Sequence, residues 1–525
     1  MAVEIMPHDQ VRKSIIQGLR EVLAGNIAVR PWYAVAAVMI ATLMTSYHTR
    51  ILALMLAELR GVWGLTYDEG AELNTVATAL QLLIAPAIPL TAAIVGPRRV
   101  LLYCALGFAF LTFITPFMVG IKALLVVHGL TAILLGCFIP ATLTVVFRNL
   151  PPRFWLLALS FYTLRLTVAT YSGVSMAGIY IDELGWHFFY WQQTFFAMVV
   201  AGLTVYSLPI EKNINKALWK KTDKGSVAIF CISLTMIFAG LDEGNRLDWF
   251  ESGKICALLT GGIVLFMFFI FWQFVSDAPF AHPRVLRRNV ILPMTVGGFF
   301  GFLSMAGALA IPNFLGTVGG LKAEQSGKIL WLVLLLQIFL VPLSIRLLRI
   351  LDARLVTAMG VVAMMAGCWF GTFITHDWRA VNFVPALIAF AVGNAFVFLG
   401  VMTLAVANSR PADVIPVLAY AQIPRVLGPT LAASILTSLI TQLEKIHSAL
   451  LMPYTDMARS VVREAYNNGS TLSSMSNLIR QEAYVLAYRD LYQIIFVLGI
   501  FALLALMMMK PAPSNAMTPN GYTEH

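Results

Sequence analysis

Four ionisable side chains stand where hydrocarbon should exclude them. His48 and Arg50 lie inside the apolar run LMTSYHTRILALML (Leu43–Leu56), and Arg165 and Arg425 lie inside two others. At a helical rise of about 1.5 Å per residue, Arg165 sits roughly 16 Å and Arg425 roughly 18 Å from the nearer end of its run. Neither reaches a headgroup region easily. A buried Arg costs about 2.5–3.5 kcal/mol or more at a helix centre, so each must meet water, a partner or a cargo. A guanidinium fork binds a carboxylate through two parallel hydrogen bonds, so two central arginines could clamp an organic anion. The alternative is that each only bridges helices or buried carbonyls. Arg50 is two positions from His48, about 200° around a helix, so the pair cannot share one cavity. Arg50 lies roughly 10 Å from its run's end and can snorkel. His48 and His128 carry imidazoles whose ordinary pKa near 6.5 suits proton exchange. A hydrogen-bonded core histidine is the competing reading.

Acidic groups are absent from the run centres: Glu58, Glu72, Asp242, Glu243 and Asp413 all sit near ends. A cation carrier would be expected to hold an embedded carboxylate. Embedded positive and protonatable groups without one argue for an anionic or weakly acidic amphipathic cargo. Gln81, Gln337 and Asn394 are neutral polar candidates for a cavity wall, and helix-to-helix hydrogen bonding explains such residues equally well.

The elements that must position these residues follow from composition. The 525 residues are 59% hydrophobic and 12% charged, with mean hydropathy +0.80. A soluble domain carries roughly 25% charged residues, so this is a membrane chain. In lipid the backbone must satisfy its own polar groups. Runs of about 20 residues without period-2 alternation select helices over a barrel. Fourteen spans are expected at 33–57, 71–95, 99–119, 123–147, 154–181, 187–209, 225–241, 253–276, 290–312, 325–348, 354–375, 380–407, 413–442 and 489–509. Lys and Arg favour one set of connections about four to one, which places both termini in the cytoplasm. The formal charge of +10 is thereby mostly topological and gives no reason to expect nucleic-acid binding.

Three pieces do not span. Residues 9–24 place Val11, Ile15, Ile16, Leu19, Val22 and Leu23 at helical spacing, which fits a surface helix or one packed beneath the bundle. Residues 210–224 form a Lys-rich linker. Residues 443–488 form a long polar external stretch, with helical segments near 444–466 and 472–488 separated by NNGS. The expected organisation is therefore a cytoplasmic segment 1–32, a first half 33–209, a linker with two extra helices 210–289, a second half 290–509 and a tail 510–525. Residues 1–31 do not read as a cleavable signal. The five cysteines fall in or beside apolar runs and show no redox or metal spacing. The sequence contains no phosphate-binding loop and no catalytic motif, which excludes an enzyme and an ATP-driven pump on this chain. No cofactor is expected. Phe, Trp and Met content fits lipid contact, core or a broad apolar cavity. The GGFFG stretch (297–301) and the Gly173/Ala177 pair fit close helix approach or a hinge.

Several local patterns resemble one family: PLTAAIVGPRRVLL (89–102), IPATLTVVFRNLPP (139–152), GVSMAG (173–178), DELGWHFFYWQQTFF (182–196), LDEGNRLDWFES (241–252), RVLGPTLAASILTSL (425–439) and the long penultimate loop. Together they are similar to the fourteen-span drug:proton antiporters of the major facilitator superfamily, the EmrB/QacA type, and nearer EmrB. The resemblance implies an all-α polytopic membrane protein with the major facilitator fold: two six-helix halves, spans 1–6 and 9–14, plus two inserted helices. It also implies alternating access to a midplane site, proton coupling, a periplasmic adaptor (membrane fusion protein), an outer-membrane channel and a bacterial inner-membrane location. The chain departs from the pattern in four places. His48 replaces an Asp of the first span. The loop after span 2 keeps Gly96, Arg98 and Arg99 but lacks the usual acidic–basic pair of the gating motif. His128 stands where span 4 has Arg, and Gly173-Val174 replaces a Gly-Pro. The expected site is Arg165, Arg425, Gln81, Asn394, Gln337 and Arg50 for cargo, His48 and His128 for protons, and Gly96, Arg98 and Arg99 for gating. Alternatives are a dedicated metabolite or siderophore transporter, importers included, and a receptor or scaffold of transporter ancestry.

Overall fold

The computed structural model describes residues 28–211, 215–408, 414–455 and 472–511. The expected helix at 9–24, the NNGS turn and most of the C-terminal tail lie outside these residues. Among the described residues thirteen helices are long and apolar enough to cross a membrane. In chain order we label them α1 (Pro31–Trp63), α2 (Tyr67–Val95), α3 (Pro97–Phe117), α4 (Ile121–Asn149), α6 (Trp186–Ser207), α7 (Lys224–Glu243), α8 (Gly253–Val275), α9 (Arg288–Thr317), α10 (Gln325–Ile350), α11 (Ala353–Gly371), α12 (Ala380–Ala405), α13 (Pro416–Tyr454) and α14 (Ser473–Met507). The label α5 is kept for 155–184, where the sequence places the fifth span. It is helical throughout but interrupted by π turns at Val168–Ser172 and Tyr180–Leu184. Its Ser, Thr and Tyr content makes it less apolar than its neighbours, and it is not among the thirteen.

Local chemistry sets where helices start and stop. Pro31 occupies the first turn of α1, where its missing N–H costs nothing, and Gly64 ends the helix at φ 63°. Thr66 and Glu69 cap α2 reciprocally. Gly96, at φ 99°, makes the turn from α2 into α3, a conformation that favours glycine. Asp223 caps α7, accepting from the Gly225 and Ser226 N–H groups, and Trp272 of α8 donates to the same carboxylate at 2.6 Å. The α7–α8 hairpin is thereby tied at its base.

α13 and α14 run further than the apolar stretches suggested. α14 begins at Leu472 rather than near 489, and α13 stays α-helical to Leu451. Apolar windows report hydrocarbon thickness, about 20 residues of helix. They do not report a helix end, and 472–488 contains no Pro or Gly to stop one. The two helices continue together beyond the apolar region, joined by His447–Asp490 at 2.8 Å.

One buried cluster runs through both halves, from Val38 and Phe138 to Phe390 and Tyr492. A second lies where α7 and α8 meet α2 and α13, with Leu82, Phe230, Phe238, Phe269 and Tyr420 at its centre. The inserted hairpin therefore fills the groove between α2 of the first half and α13 of the second.

Candidate functional site

Most of the predicted residues fall into three groups, and Arg50, Asn394 and Gln337 lie outside them. The first surrounds Arg165. Its guanidinium Nη1 donates to the Ser46 hydroxyl of α1, and its Cζ lies 5.7 Å from the Tyr162 ring centroid, one turn earlier on α5. Tyr162 is anchored by donating to Thr142 Oγ1 of α4 at 2.6 Å. Thr142 spends its own hydrogen on the Phe138 and Ile139 carbonyls, leaving a lone pair for Tyr162. A third π turn, Ala306–Ala310, interrupts α9, and Arg425 lies on α13 inside a fourth, Ile423–Leu427, with its Nε donating to Gln422 Oε1 at 2.7 Å. Each guanidinium is within electrostatic reach of the other, and Tyr162 feels both. The two arginines thus come from opposite halves, Arg165 on α5 and Arg425 on α13. Among the described residues neither has an ion-pair partner, and Arg165 Nε is buried without a hydrogen bond. π turns often mark functional positions, because one extra residue redirects the side chains around it.

The second group lies inside the first half. His48, Gln81 and His128 line a cavity of water size together with Thr49, Asn74, Thr78 and Thr131. His128 Nδ1 faces the Leu124 carbonyl at 2.9 Å. A carbonyl only accepts, so Nδ1 carries a hydrogen, and in the neutral ring Nε2 accepts from Tyr190 Oη at 3.1 Å. Gln81 Nε2 donates to Thr49 Oγ1 at 3.1 Å and to the Ala77 carbonyl at 2.7 Å. His48 stacks on Phe189 at 5.2 Å, and its Nδ1 is buried with no partner among the described residues.

The third group lies at the α2–α3 turn. Arg98 Nη1 donates to the Leu208 carbonyl at the end of α6, at 2.7 Å. Arg99 reaches back to the Val95 carbonyl at 3.4 Å. A Cβ on Gly96 would sit 3.4 Å from Glu211, and Glu211 pairs with Arg148 at 3.4 Å. An acidic–basic pair is therefore present beside this turn, supplied by the ends of α4 and α6 and not by the loop itself.

Three predicted cargo residues stand apart from the arginine pair's direct contacts. Arg50 lays its side chain against Gly173, where a Cβ would come within 3.1 Å of its Cγ, and its Nε is unpartnered. It is absent from the histidine cavity, as the 200° separation requires. Asn394 donates to Tyr171 Oη at 3.1 Å and so joins α12 to the first π turn of α5, across the two halves. Gln337 donates to the Ala391 carbonyl at 2.9 Å and ties α10 to α12 within the second half.

Sequence reasoning missed Ser46, Tyr162, Gln422 and Tyr190. Tyr162 and Gln422 each precede an arginine by three positions, the spacing that puts side chains on one helix face, so that signal was present. Ser46 and Tyr190 meet their partners only through tertiary packing.

The Major Facilitator Superfamily model matches residues 35–433. The multidrug export protein EmrB of Escherichia coli K12 is 23% identical over 468 residues, 85% of this chain and 88% of that protein. The fatty acid resistance protein FarB of Neisseria gonorrhoeae is 21% identical over 487 residues, 90% and 94% of the two chains. Among solved structures, a peptide transporter POT in complex with sulfate superposes with TM-score 0.56 at 14% identity, covering 92% of this chain and 96% of that one. The human organic anion transporter MFSD10 (TETRAN) gives 0.55 at 13% identity, covering 90% and 99%. These structures share the fold of this chain. The chain belongs to the major facilitator superfamily: it is a multi-pass membrane transporter, similar to the EmrB-type drug:proton antiporters, and not an enzyme.

Proposed function

We propose that this transporter exports amphipathic organic anions or weak acids across a bacterial inner membrane by proton-coupled alternating access. Its partners in this reading are a periplasmic adaptor and an outer-membrane channel. The observation that carries the proposal is that Arg165 on α5 and Arg425 on α13, one in each half, meet only neutral hydrogen-bond partners, Ser46 and Gln422, and no ion-pair partner among the described residues. Two like charges in a weakly screening interior repel. A cargo carboxylate placed between them replaces repulsion with charge-assisted hydrogen bonds. Binding then draws the halves together, which is the differential interaction that a conformational change requires. The name of the relative FarB, a fatty acid resistance protein, supports the same cargo class.

Helix α1 links cargo to protons. It carries Ser46, the partner of Arg165, and two positions later His48, on the wall of the cavity shared with His128. A proton taken up by His48 would add charge to that cavity and favour its hydration. A shift of α1 in response moves Ser46, and with it the geometry offered to the cargo.

The test is efflux from proteoliposomes under an imposed proton gradient, with laurate as the anionic probe and ethidium as the cationic one. The account expects gradient-driven laurate movement and no ethidium movement. Ethidium export without laurate export would contradict it.

A further inference from the structure

The loop between α7 and α8 touches both halves. On the α2 side, Arg246 pairs with Asp68, and it is oriented from within the hairpin by Glu243 at the end of α7, to which its Nε donates at 2.6 Å. Thr75 of α2 donates to Asp242 Oδ2 at 2.7 Å and also meets Glu243, and Lys254 pairs with Glu72 at 3.5 Å. On the α13 side the contacts are neutral. Asn245 Nδ2 donates to the Ser434 carbonyl at 2.9 Å, Ser438 Oγ donates to Asn245 Oδ1, and Trp249 Nε1 donates to Ser438 Oγ at 2.9 Å.

The backbone that aims these groups is strained. Asp248 and Trp249 have φ of 56° and 52°, and they are the only non-glycine residues with positive φ among those described. A bulky residue there is strained and persists only where surrounding contacts hold it. Trp249 is held by Gly244, whose absent Cβ would lie 2.8 Å from the indole, and by the Ser438 hydroxyl.

We propose that residues 244–249 form a latch that closes the Arg/Lys-poor mouth between α2 and α13, remains with α2, and releases α13 when that mouth opens. The asymmetry of the contacts sets the order of release. The α2 side is held by the Arg246–Asp68 pair and, at the base of the loop, by the hydrogen bonds of Thr75 to the Asp242 and Glu243 carboxylates, and hydrogen bonds to carboxylates are roughly twice as strong as neutral ones. The α13 side has only neutral bonds, and freeing it also relieves the strain at Trp249. The proposal rests on alternating access but not on the cargo being an anion.

Crosslinking tests it in a chain lacking Cys104, Cys137, Cys231, Cys256 and Cys368. Ser46→Cys reports access to the centre, read as labelling by a membrane-impermeant maleimide from the Arg/Lys-poor side. Oxidation of an added Asn245→Cys/Ser438→Cys pair is expected to form a disulfide, reduce labelling to background, and release it on reduction. Oxidation of an Asp68→Cys/Arg246→Cys pair is expected to leave labelling intact. Labelling that survives the 245–438 disulfide, equal block by both disulfides, or failure of 245 and 438 to crosslink would overturn the latch. Absence of labelling before oxidation would instead contradict alternating access itself.

Discussion

An arginine inside a bilayer is tolerable in proportion to how many of its five donors find acceptors. Arg165 has Ser46 and the Tyr162 ring, Arg425 has Gln422, and neither has a carboxylate among the described residues. Leaving a buried donor unmade costs about 1–3 kcal/mol, so Arg165 Nε is a place where a ligand or water gains by binding. The same reasoning applies to His48, whose Nδ1 is the unpartnered atom of the histidine cavity. His48→Ala is expected to keep downhill laurate movement while abolishing its acceleration by a proton gradient in proteoliposomes. An unchanged response to the gradient would make His48 a structural residue. At this scale the sequence was informative about which residues are anomalous, because charge in an apolar run is visible without a fold. It was silent on Ser46 and Tyr190, which are ordinary residue types until packing places them beside Arg165 and His128.

At the scale of elements, the apolar runs located the spans and the polar stretch read as helical near 444–466 and 472–488, but nothing showed that the described parts of these segments continue α13 and α14 without a break. A helix leaving the membrane changes its composition and not its backbone hydrogen bonding, so hydropathy alone could not reveal that 472–488 belongs to α14. The π turns of α5, α9 and α13 were also hidden, since one extra residue per turn leaves no compositional mark. The α13–α14 extension presents Ile446, Leu450 and Leu478 as exposed apolar groups, on helices well beyond the length that a bilayer needs. If the adaptor docks there, replacing 446–482 with a short Gly/Ser turn will abolish co-purification with it while leaving the chain in the membrane. An intact complex after that replacement would place docking elsewhere.

For the whole molecule, the two-half architecture was legible from family-like motifs and span count, whereas the function of the inserted hairpin was not. Spans 7 and 8 read as an insertion, yet in three dimensions they fill the groove between α2 and α13 and carry a loop that contacts both. The interface between halves also contains the Asn394–Tyr171 bond, so the proposed latch and the bond that joins α5 to α12 both bridge the two halves. In the proposed function Arg165 and Arg425 act as one clamp on a carboxylate. The most direct measurement is equilibrium binding of laurate to the purified full chain and to Arg165→Ala, Arg425→Ala and the double variant. A clamp predicts that each single change weakens binding by about tenfold or more, as loss of a charged hydrogen bond worth 1.5–3 kcal/mol requires. It also predicts that the double variant loses less than the sum of the two. Undiminished binding by Arg165→Ala, or losses that simply add, would contradict it.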